Sequence, residues 1–167
     1  ESAYLLGHLP GAVYAHLDHA LSDFGSPDAA GKARPHADAA SGGRHPLPAR
    51  EKFAIWLSSV GFSNDMQAVV YDRNGSSFCG RLWWMLRAIG WDDAAVLDGG
   101  FAHWTAEARP LTTEVRRHPP ARLEAHPRPG LFVDKASVRA ALGDPGVILI
   151  NALGTESAGQ LTASDLN

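Results

Sequence analysis

The chain has 167 residues, of which 45% are hydrophobic and 20% charged, so it can bury one complete core and part of another. Its 15 basic and 18 acidic side chains leave a net charge of -3, which argues against binding to nucleic acid or to an anionic membrane surface. The single cysteine cannot form an internal disulfide, no apolar run approaches the ~20 residues of a membrane span, and no leader pattern opens the sequence, so a cytoplasmic protein is expected.

An irregular stretch comes before the first clear element. Residues 22–48 are crowded with glycine, proline, alanine, serine and aspartate and show no hydrophobic period, so we predict a long excursion with a flexible middle near residues 28–43. Apolar residues then recur at i, i+3, i+4 and i+7 from Phe53, and Gly61 stands where a left-handed helix stop belongs. This spacing predicts an amphipathic helix over residues 49–60.

The middle of the chain alternates between strand and helix patterns. The apolar runs at residues 68–72 and 94–97 predict two strands buried on both faces of a parallel sheet. A helical stripe over residues 78–89 separates them, and a turn at 98–100 leads into a short helix at 101–108. Such alternation indicates an open α/β sheet, in which ligands bind where the strands end. The loops that follow the two strands should therefore share one edge.

The C-terminal part restarts this pattern after a change of composition. Residues 116–130 are rich in proline and arginine without an apolar stripe, which is typical of an extended connector. Asp134 is then placed as the N-cap of a helix that reaches Leu142, and residues 147–150 form an apolar run that predicts another buried strand. Residues 151–167 give no clear element.

Several motifs, taken in order, resemble a known family. The sequences YLLGHLPGAVY (residues 4–14), VVYD with the loop and helix that follow (69–90), and AVLDGGFAHW (95–104) are together similar to the N-terminal half of tandem rhodanese-type sulfurtransferases. This family contains the thiosulfate and 3-mercaptopyruvate sulfurtransferases, and GRHPLP (43–48) is similar to a segment that they carry. The resemblance implies an α/β fold, a rhodanese-like open and mostly parallel sheet flanked by helices on both faces.

The resemblance also implies a division into domains. Residues 1–115 correspond to an N-terminal rhodanese-like domain whose first strand is missing, because relatives have a strand and a turn before the GHLPG motif. Residues 116–130 correspond to the linker between domains. Residues 131–167 correspond to the incomplete start of a second rhodanese-like domain, and that domain carries the catalytic cysteine of the family.

The catalytic position of the family can be located in this sequence. In the family, a cysteine directly after the central strand is surrounded by main-chain N–H groups and by a helix N-terminus, which favour its thiolate and hold a persulfide. The residue directly after VVY is Asp72, and the only cysteine, Cys79, lies seven residues further on. The resemblance therefore implies no catalytic residue in this domain, with Cys79 as a packing residue and, as an alternative, a reactive thiol.

Other residues are candidates to line a substrate cleft. They are the loop after the strand and an arginine of the next helix: Asp72, Arg73, Asn74, Gly75, Ser76, Ser77 and Arg81. Arg81 matches an arginine of two-domain relatives, and it either faces a domain interface or is simply solvated. Leu153 stands where relatives carry an arginine that helps to hold the donor. No histidine pairing supports a metal site, and no motif points to a cofactor.

The resemblance implies that the full-length parent is an enzyme. It is expected to be a sulfurtransferase that moves a sulfane sulfur from thiosulfate or 3-mercaptopyruvate to cyanide or a thiol acceptor, through a Cys-persulfide in the second domain. This chain alone is expected to be inactive. Its expected partners are these small donors and acceptors and the second rhodanese domain, with no nucleic acid and no membrane. The alternative is a catalytically silent rhodanese-like module that binds or scaffolds a partner.

Overall fold

The computed structural model describes residues 1–24, 35–128 and 130–150, and the chain divides into two compact units, Glu1–Pro129 and Gly130–Asn167. The first unit contains, in chain order, α1 (Ser2–Leu6), α2 (Arg50–Ser59), β1 (Ala68–Val70), α3 (Cys79–Ala88), β2 (Ala94–Val96) and α4 (Gly100–Ala106). The second contains α5 (Lys135–Ala140). Among the described residues, no helix is long and apolar enough to cross a membrane.

The two strands of the first unit are parallel neighbours. Ala68 lies opposite Ala94, and Val70 lies opposite Val96. Because parallel neighbours need a crossover connection, the chain passes through α3 between them, and α3 packs against both strands. This arrangement brings the loops that follow β1 and β2 to the same edge of the sheet, where the N–H of Phe101 donates to the main-chain oxygen of Asp72 at 3.1 Å.

The core of the first unit confirms the helical stripes read from the sequence. The helix predicted over residues 49–60 is α2, which buries Phe53 and Leu57, and Gly61 ends it with a φ of 85°. In α3, Met85 and Leu86 are buried. The apolar stripe predicted over residues 78–89 was wrong at its first residue. Phe78 was expected on the buried face of the helix, but it precedes α3 and 47% of it is exposed.

The strands are less buried than the sequence suggested. We predicted that both would be buried on both faces, but Val69 is 55% exposed and Val96 is 37% exposed. The physical reason is that the described sheet has only these two strands. An apolar run indicates that a strand can be buried, whereas burial itself requires neighbours that cover it.

A buried histidine joins the N-terminal segment to residues 112–114 of the first unit. His8 is 1% exposed, and its ring lies 3.8 Å from the ring of Tyr4 in a stacked arrangement. Nδ1 lies 2.9 Å from the Tyr4 carbonyl oxygen, and Nε2 lies 3.1 Å from that of Glu114. The main chains of His8 and Thr112 also exchange two hydrogen bonds. These contacts fix the position of α1, which lies near the loop after β1.

The residues predicted as a connector lie along the first unit. Residues 116–128 form no helix or strand. Main-chain bonds from Ala121 to the Ser58 oxygen, at 2.9 Å, and from His126 to the Ile89 oxygen, at 2.8 Å, hold them there. Of the excursion whose middle we predicted to be flexible, residues 25–34 lie outside the described residues, as does Leu153.

The second unit contains the helix that the sequence predicted, but it does not contain the predicted strand. Asp134 caps α5 by accepting a hydrogen bond from the Ser137 N–H at 2.7 Å, as predicted. The strand predicted at residues 147–150 was wrong: these residues form no strand, and the exposed fractions of Ile148 and Ile150 are 83% and 84%. A strand is stabilised by hydrogen bonds to a neighbouring strand, and the described residues 130–150 contain none.

Candidate active-site loop

The carboxylate of Asp72 lies at the centre of a set of main-chain N–H groups. Oδ1 accepts hydrogen bonds from Asn74 at 2.8 Å and from Ser76 at 2.9 Å. Oδ2 accepts from Phe78 at 2.7 Å and from Cys79 at 3.0 Å. We call these four donors the amide ring. Each carboxylate oxygen therefore receives two donors, which is an arrangement suited to an anion.

The local sequence explains why the chain curls around this carboxylate. An aspartate readily bonds the N–H two residues further on, which starts the turn at Asn74. Gly75 and Ser76 then take positive φ values of 63° and 71°. Glycine adopts this left-handed backbone region without strain, whereas serine is strained there. The hydrogen bonds of the loop offset that strain. The turn aims the amides of Phe78 and Cys79, at the start of α3, back toward Asp72.

The amide ring sets the protonation state of Asp72. Burial is the largest single influence and raises the pKa of this carboxyl, because it penalises the charged form. The hydrogen bonds from Cys79, Asn74, Phe78 and Ser76 each lower the pKa, and together they outweigh burial, so that it lies below its usual value. Asp72 is therefore an anion at neutral pH.

The only thiol of the chain, that of Cys79, lies in an environment that does not suit a nucleophile. Cys79 is buried, and 5% of it is exposed. Burial, followed by the negative charge of Asp72, raises the pKa of its thiol. A high pKa leaves little thiolate at neutral pH, and the thiolate is the reactive form. Since the amide ring already holds a carboxylate, Cys79 contributes its main-chain N–H to the ring and its side chain to the core.

The other loop candidates lie nearer the surface. Asn74, Gly75 and Ser77 are exposed, and Ser76 is half-buried. The guanidinium of Arg73 donates to the carbonyl oxygens of Ala3, at 3.0 Å, and Gly7. It also lies 3.3 Å from the centroid of the Phe101 ring, which is a cation–π contact. Sequence reasoning did not find Phe101, because no spacing rule links it to the loop after β1.

Arg81 lies away from the amide ring, where it holds the irregular excursion. Its Nε and Nη2 donate to the carbonyl oxygen of Leu21 at 3.0 and 2.6 Å, and Nη2 donates to that of His45 at 2.9 Å. The side chain is half-buried. This arginine therefore links both ends of the irregular stretch 22–48 to α3. The sequence analysis expected it either to face a domain interface or to be solvated, and did not include this role.

Replacing Arg81 with lysine should loosen this attachment. A lysine keeps the charge but offers one compact ammonium in place of a planar fork of donors, so it cannot reproduce the bonds to both carbonyls. We expect the free energy of unfolding, measured by urea denaturation, to fall by about 2 kcal/mol. The matched control is Arg87→Lys, whose guanidinium is paired with the exposed Asp92 at 2.9 Å. That change should cost less than about 0.5 kcal/mol, and equal losses in the two variants would contradict the assigned role.

Sequence comparison identifies the family of the chain. The rhodanese-like domain family matches residues 1–107. The chain belongs to this family. A probable 3-mercaptopyruvate sulfurtransferase from Pseudomonas aeruginosa is 35% identical over 150 residues, which cover 89% of this chain and 49% of that protein. Thiosulfate sulfurtransferase from Bos taurus is 36% identical over 124 residues, or 73% of this chain and 36% of that protein.

Structural comparison agrees with the rhodanese assignment. The crystal structure of SseA from Escherichia coli, described under the rhodanese fold of 3-mercaptopyruvate sulfotransferases, matches with a TM-score of 0.64 and 27% identity. The match covers 83% of this chain and 47% of that one. The predicted family and the predicted α/β rhodanese-like fold are thereby confirmed. The chain spans about half the length of the Pseudomonas relative and about a third of the length of the Bos taurus relative.

Proposed function

We propose that this chain is the non-catalytic N-terminal rhodanese domain of a two-domain sulfurtransferase, followed by a linker over residues 116–130 and the start of the second domain. The observation that carries the proposal is the carboxylate of Asp72 inside the amide ring. A carboxylate in that position satisfies the ring but has no sulfur to transfer. Catalysis is therefore assigned to a cysteine of the second domain, outside this sequence.

The proposed reaction consists of two displacements at that cysteine. Its thiolate attacks the outer sulfur of thiosulfate, the sulfur–sulfur bond of the donor breaks, and sulfite leaves with the bonding electrons. Cyanide then attacks the outer sulfur of the Cys-persulfide, thiocyanate leaves, and the thiolate is restored. With 3-mercaptopyruvate as donor, the carbon–sulfur bond breaks and pyruvate is the product after protonation. A thiol acceptor takes the place of cyanide by the same displacement.

In this proposal, the first domain supplies one wall of the cleft between the two domains. The candidates for that wall are the exposed members of the loop after β1: Arg73, Asn74, Gly75 and Ser77. The second candidate function is a catalytically silent module that binds a partner. The same carboxylate favours it, because a domain without a nucleophile can be kept for its surface alone.

Thiocyanate formation separates these functions. The full-length product of the gene and the chain of residues 1–167 are each incubated with cyanide and with thiosulfate or 3-mercaptopyruvate. Activity in the full-length protein only is expected, and it supports the proposal. No activity in either protein, when both are folded, supports the silent module. The matched variant is Cys79→Ala, which should keep full activity in the longer protein; loss of activity without loss of folding would assign the chemistry to Cys79.

A further inference from the structure

The loop after β1 contains an asparagine that is followed directly by a glycine. These residues are Asn74 and Gly75, and both are exposed. In such a pair the main-chain nitrogen of the glycine can attack the amide carbon of the asparagine side chain, because glycine has no Cβ to hinder the approach. The attack needs a side-chain amide that is free to turn and a glycine N–H that can lose its proton. The structure of this loop meets both requirements.

The reacting groups of Asn74 and Gly75 are free. Among the residues that the structure describes, neither the side-chain amide of Asn74 nor the N–H of Gly75 makes a hydrogen bond. Apart from the chain neighbours of Gly75, no atom lies within 4 Å of the position that a Cβ on it would take. Asn64 differs, because its side chain donates to the Glu124 oxygen at 3.0 Å and accepts from the Glu124 N–H at 2.7 Å. Asn64 is therefore held in place, whereas Asn74 can turn toward Gly75.

Ser77 makes the proton of Gly75 easier to remove. Its hydroxyl donates to the Asn74 carbonyl oxygen at 3.0 Å, and its N–H donates to the same oxygen at 3.4 Å. This oxygen belongs to the peptide group that also contains the Gly75 nitrogen. When that nitrogen loses its proton, the negative charge is shared with the oxygen, and hydrogen bonds to a charged form favour it. The two donors from Ser77 therefore favour the reactive form of this peptide group.

We propose that Asn74 is a site of spontaneous deamidation in the folded protein and that Ser77 promotes the reaction. A bond forms between the Gly75 nitrogen and the Asn74 side-chain carbon, the bond from that carbon to its NH₂ group breaks, and ammonia leaves with the proton of Gly75. The product is a succinimide. Water then opens this ring at one of its two carbonyl carbons and gives aspartate or isoaspartate. Water is the co-reactant, and no electrons are exchanged.

The isoaspartate product would disturb the amide ring. In isoaspartate the main chain passes through the side chain, which inserts one methylene group between residues 74 and 75. Three donors of the ring lie beyond that point, on Ser76, Phe78 and Cys79. They would therefore shift relative to Asp72, and a new carboxylate would lie close to an existing one. This inference goes beyond the proposed function and does not depend on it, because deamidation is measured without sulfur transfer.

Peptide mapping by mass spectrometry tests the site in the full-length protein. Samples are incubated at mildly alkaline pH, either folded or unfolded in urea, so that each asparagine serves as its own reference. We expect Asn74 to gain the mass that replaces NH₂ by OH, at a rate in the folded protein within about tenfold of its rate in urea. Asn64 should slow by more than about tenfold on folding. A slowing of more than about tenfold at Asn74 would overturn the proposal.

Replacing Ser77 with alanine tests the assistance. We expect deamidation of Asn74 in the folded protein to slow by about threefold to tenfold, as the loss of one hydrogen bond in the reactive form implies. In urea, where the fold no longer holds this bond, the variant and the wild type should react equally. The matched control is Ser59→Ala, because the Ser59 hydroxyl also donates to a carbonyl oxygen three residues earlier, that of Trp56 at 2.7 Å, and its loss should leave the rate unchanged. A Ser77→Ala variant that reacts as fast as the wild type would overturn the role of Ser77.

The effect on the amide ring is measured on reacted protein. Protein that has accumulated isoaspartate at residue 74 should unfold at a lower urea concentration than fresh protein. The control is Asn74→Gln, incubated for the same time, since the longer side chain of glutamine forms the corresponding ring far more slowly. This variant should keep its unfolding midpoint. An equal decline in the variant and the wild type would overturn the effect assigned to residue 74.

Discussion

Replacing Asp72 with alanine is expected to lower the free energy of unfolding of the first unit by about 2 to 3 kcal/mol. The change removes one acceptor and leaves four N–H donors without a protein partner. Hydrogen bonds to a charged group contribute roughly 1.5 to 3 kcal/mol each. The loss should be far below their sum because Asp72 is only half-buried, so water can reach the amides. Urea denaturation followed by circular dichroism measures the difference.

Two further variants show whether the charge matters. Asp72→Asn keeps the shape but turns an NH₂ group toward two of the donors, so it should cost about as much as alanine. Asp98→Ala removes an exposed aspartate at the end of the neighbouring strand, and it should cost less than about 0.5 kcal/mol. An asparagine variant as stable as the wild type would show that the amide ring does not require an anion.

The pH dependence follows from the lowered pKa of Asp72. A carboxyl whose pKa is lower in the folded state than in the unfolded state stabilises the fold fully above its unfolded pKa, about 3.9. That contribution is lost as the pH falls through the folded pKa. The stability advantage of the wild type over Asp72→Asn should therefore be constant near neutral pH and should shrink below about pH 4.

Replacing Asp72 with cysteine, in a chain that also carries Cys79→Ala, should create a reactive thiol. The sulfur would occupy the place of the carboxylate, where the amide ring and the start of α3 favour an anion. We expect its pKa to fall from about 8.5 into the range of about 4 to 7. The thiol should therefore be alkylated by iodoacetamide at pH 6 at least about tenfold faster than Cys79 in the wild-type chain, whose pKa is raised.

The control for this variant is Asp98→Cys in the same background. It presents an exposed thiol at the end of β2, outside the amide ring, and its alkylation should follow an ordinary thiol pKa of about 8.5. The pH profile of the alkylation rate distinguishes a shifted pKa from mere exposure. If both thiols titrate near 8.5, the four amides do not stabilise an anion strongly, and the proposal that Asp72 stands at the position of the family's cysteine loses its support.

The sequence predicted the helices of this domain better than its strands. The apolar residues of α2 and α3 recur within one element, so their buried faces can be read locally. The exposure of Val69 and the missing strand at residues 147–150 depend on which other strands are present, and no local pattern contains that information. A strand pattern alone therefore overestimates burial in a chain that spans half of its relatives.

The candidate loop shows the same limit at the level of single residues. The sequence placed Asp72 directly after the central strand, but it could not tell which amides would surround the carboxylate, because this depends on the positive φ values of Gly75 and Ser76. The bonds from Arg81 to Leu21 and His45 could not be inferred either, since the stretch that contains them has no hydrophobic period.

Among the described residues, β1 has no neighbouring strand on the side away from β2, and this has a practical meaning for anyone who produces the chain. An uncovered, apolar strand edge is a template on which other chains can add, and natural proteins usually blunt such edges with lysine, proline or a covering segment. Within the part of the chain that the structure describes, β1 carries no lysine or proline and no strand covers this side of it. Preparations of residues 1–167 should therefore precipitate readily at high concentration, and a Val69→Lys change should improve their solubility.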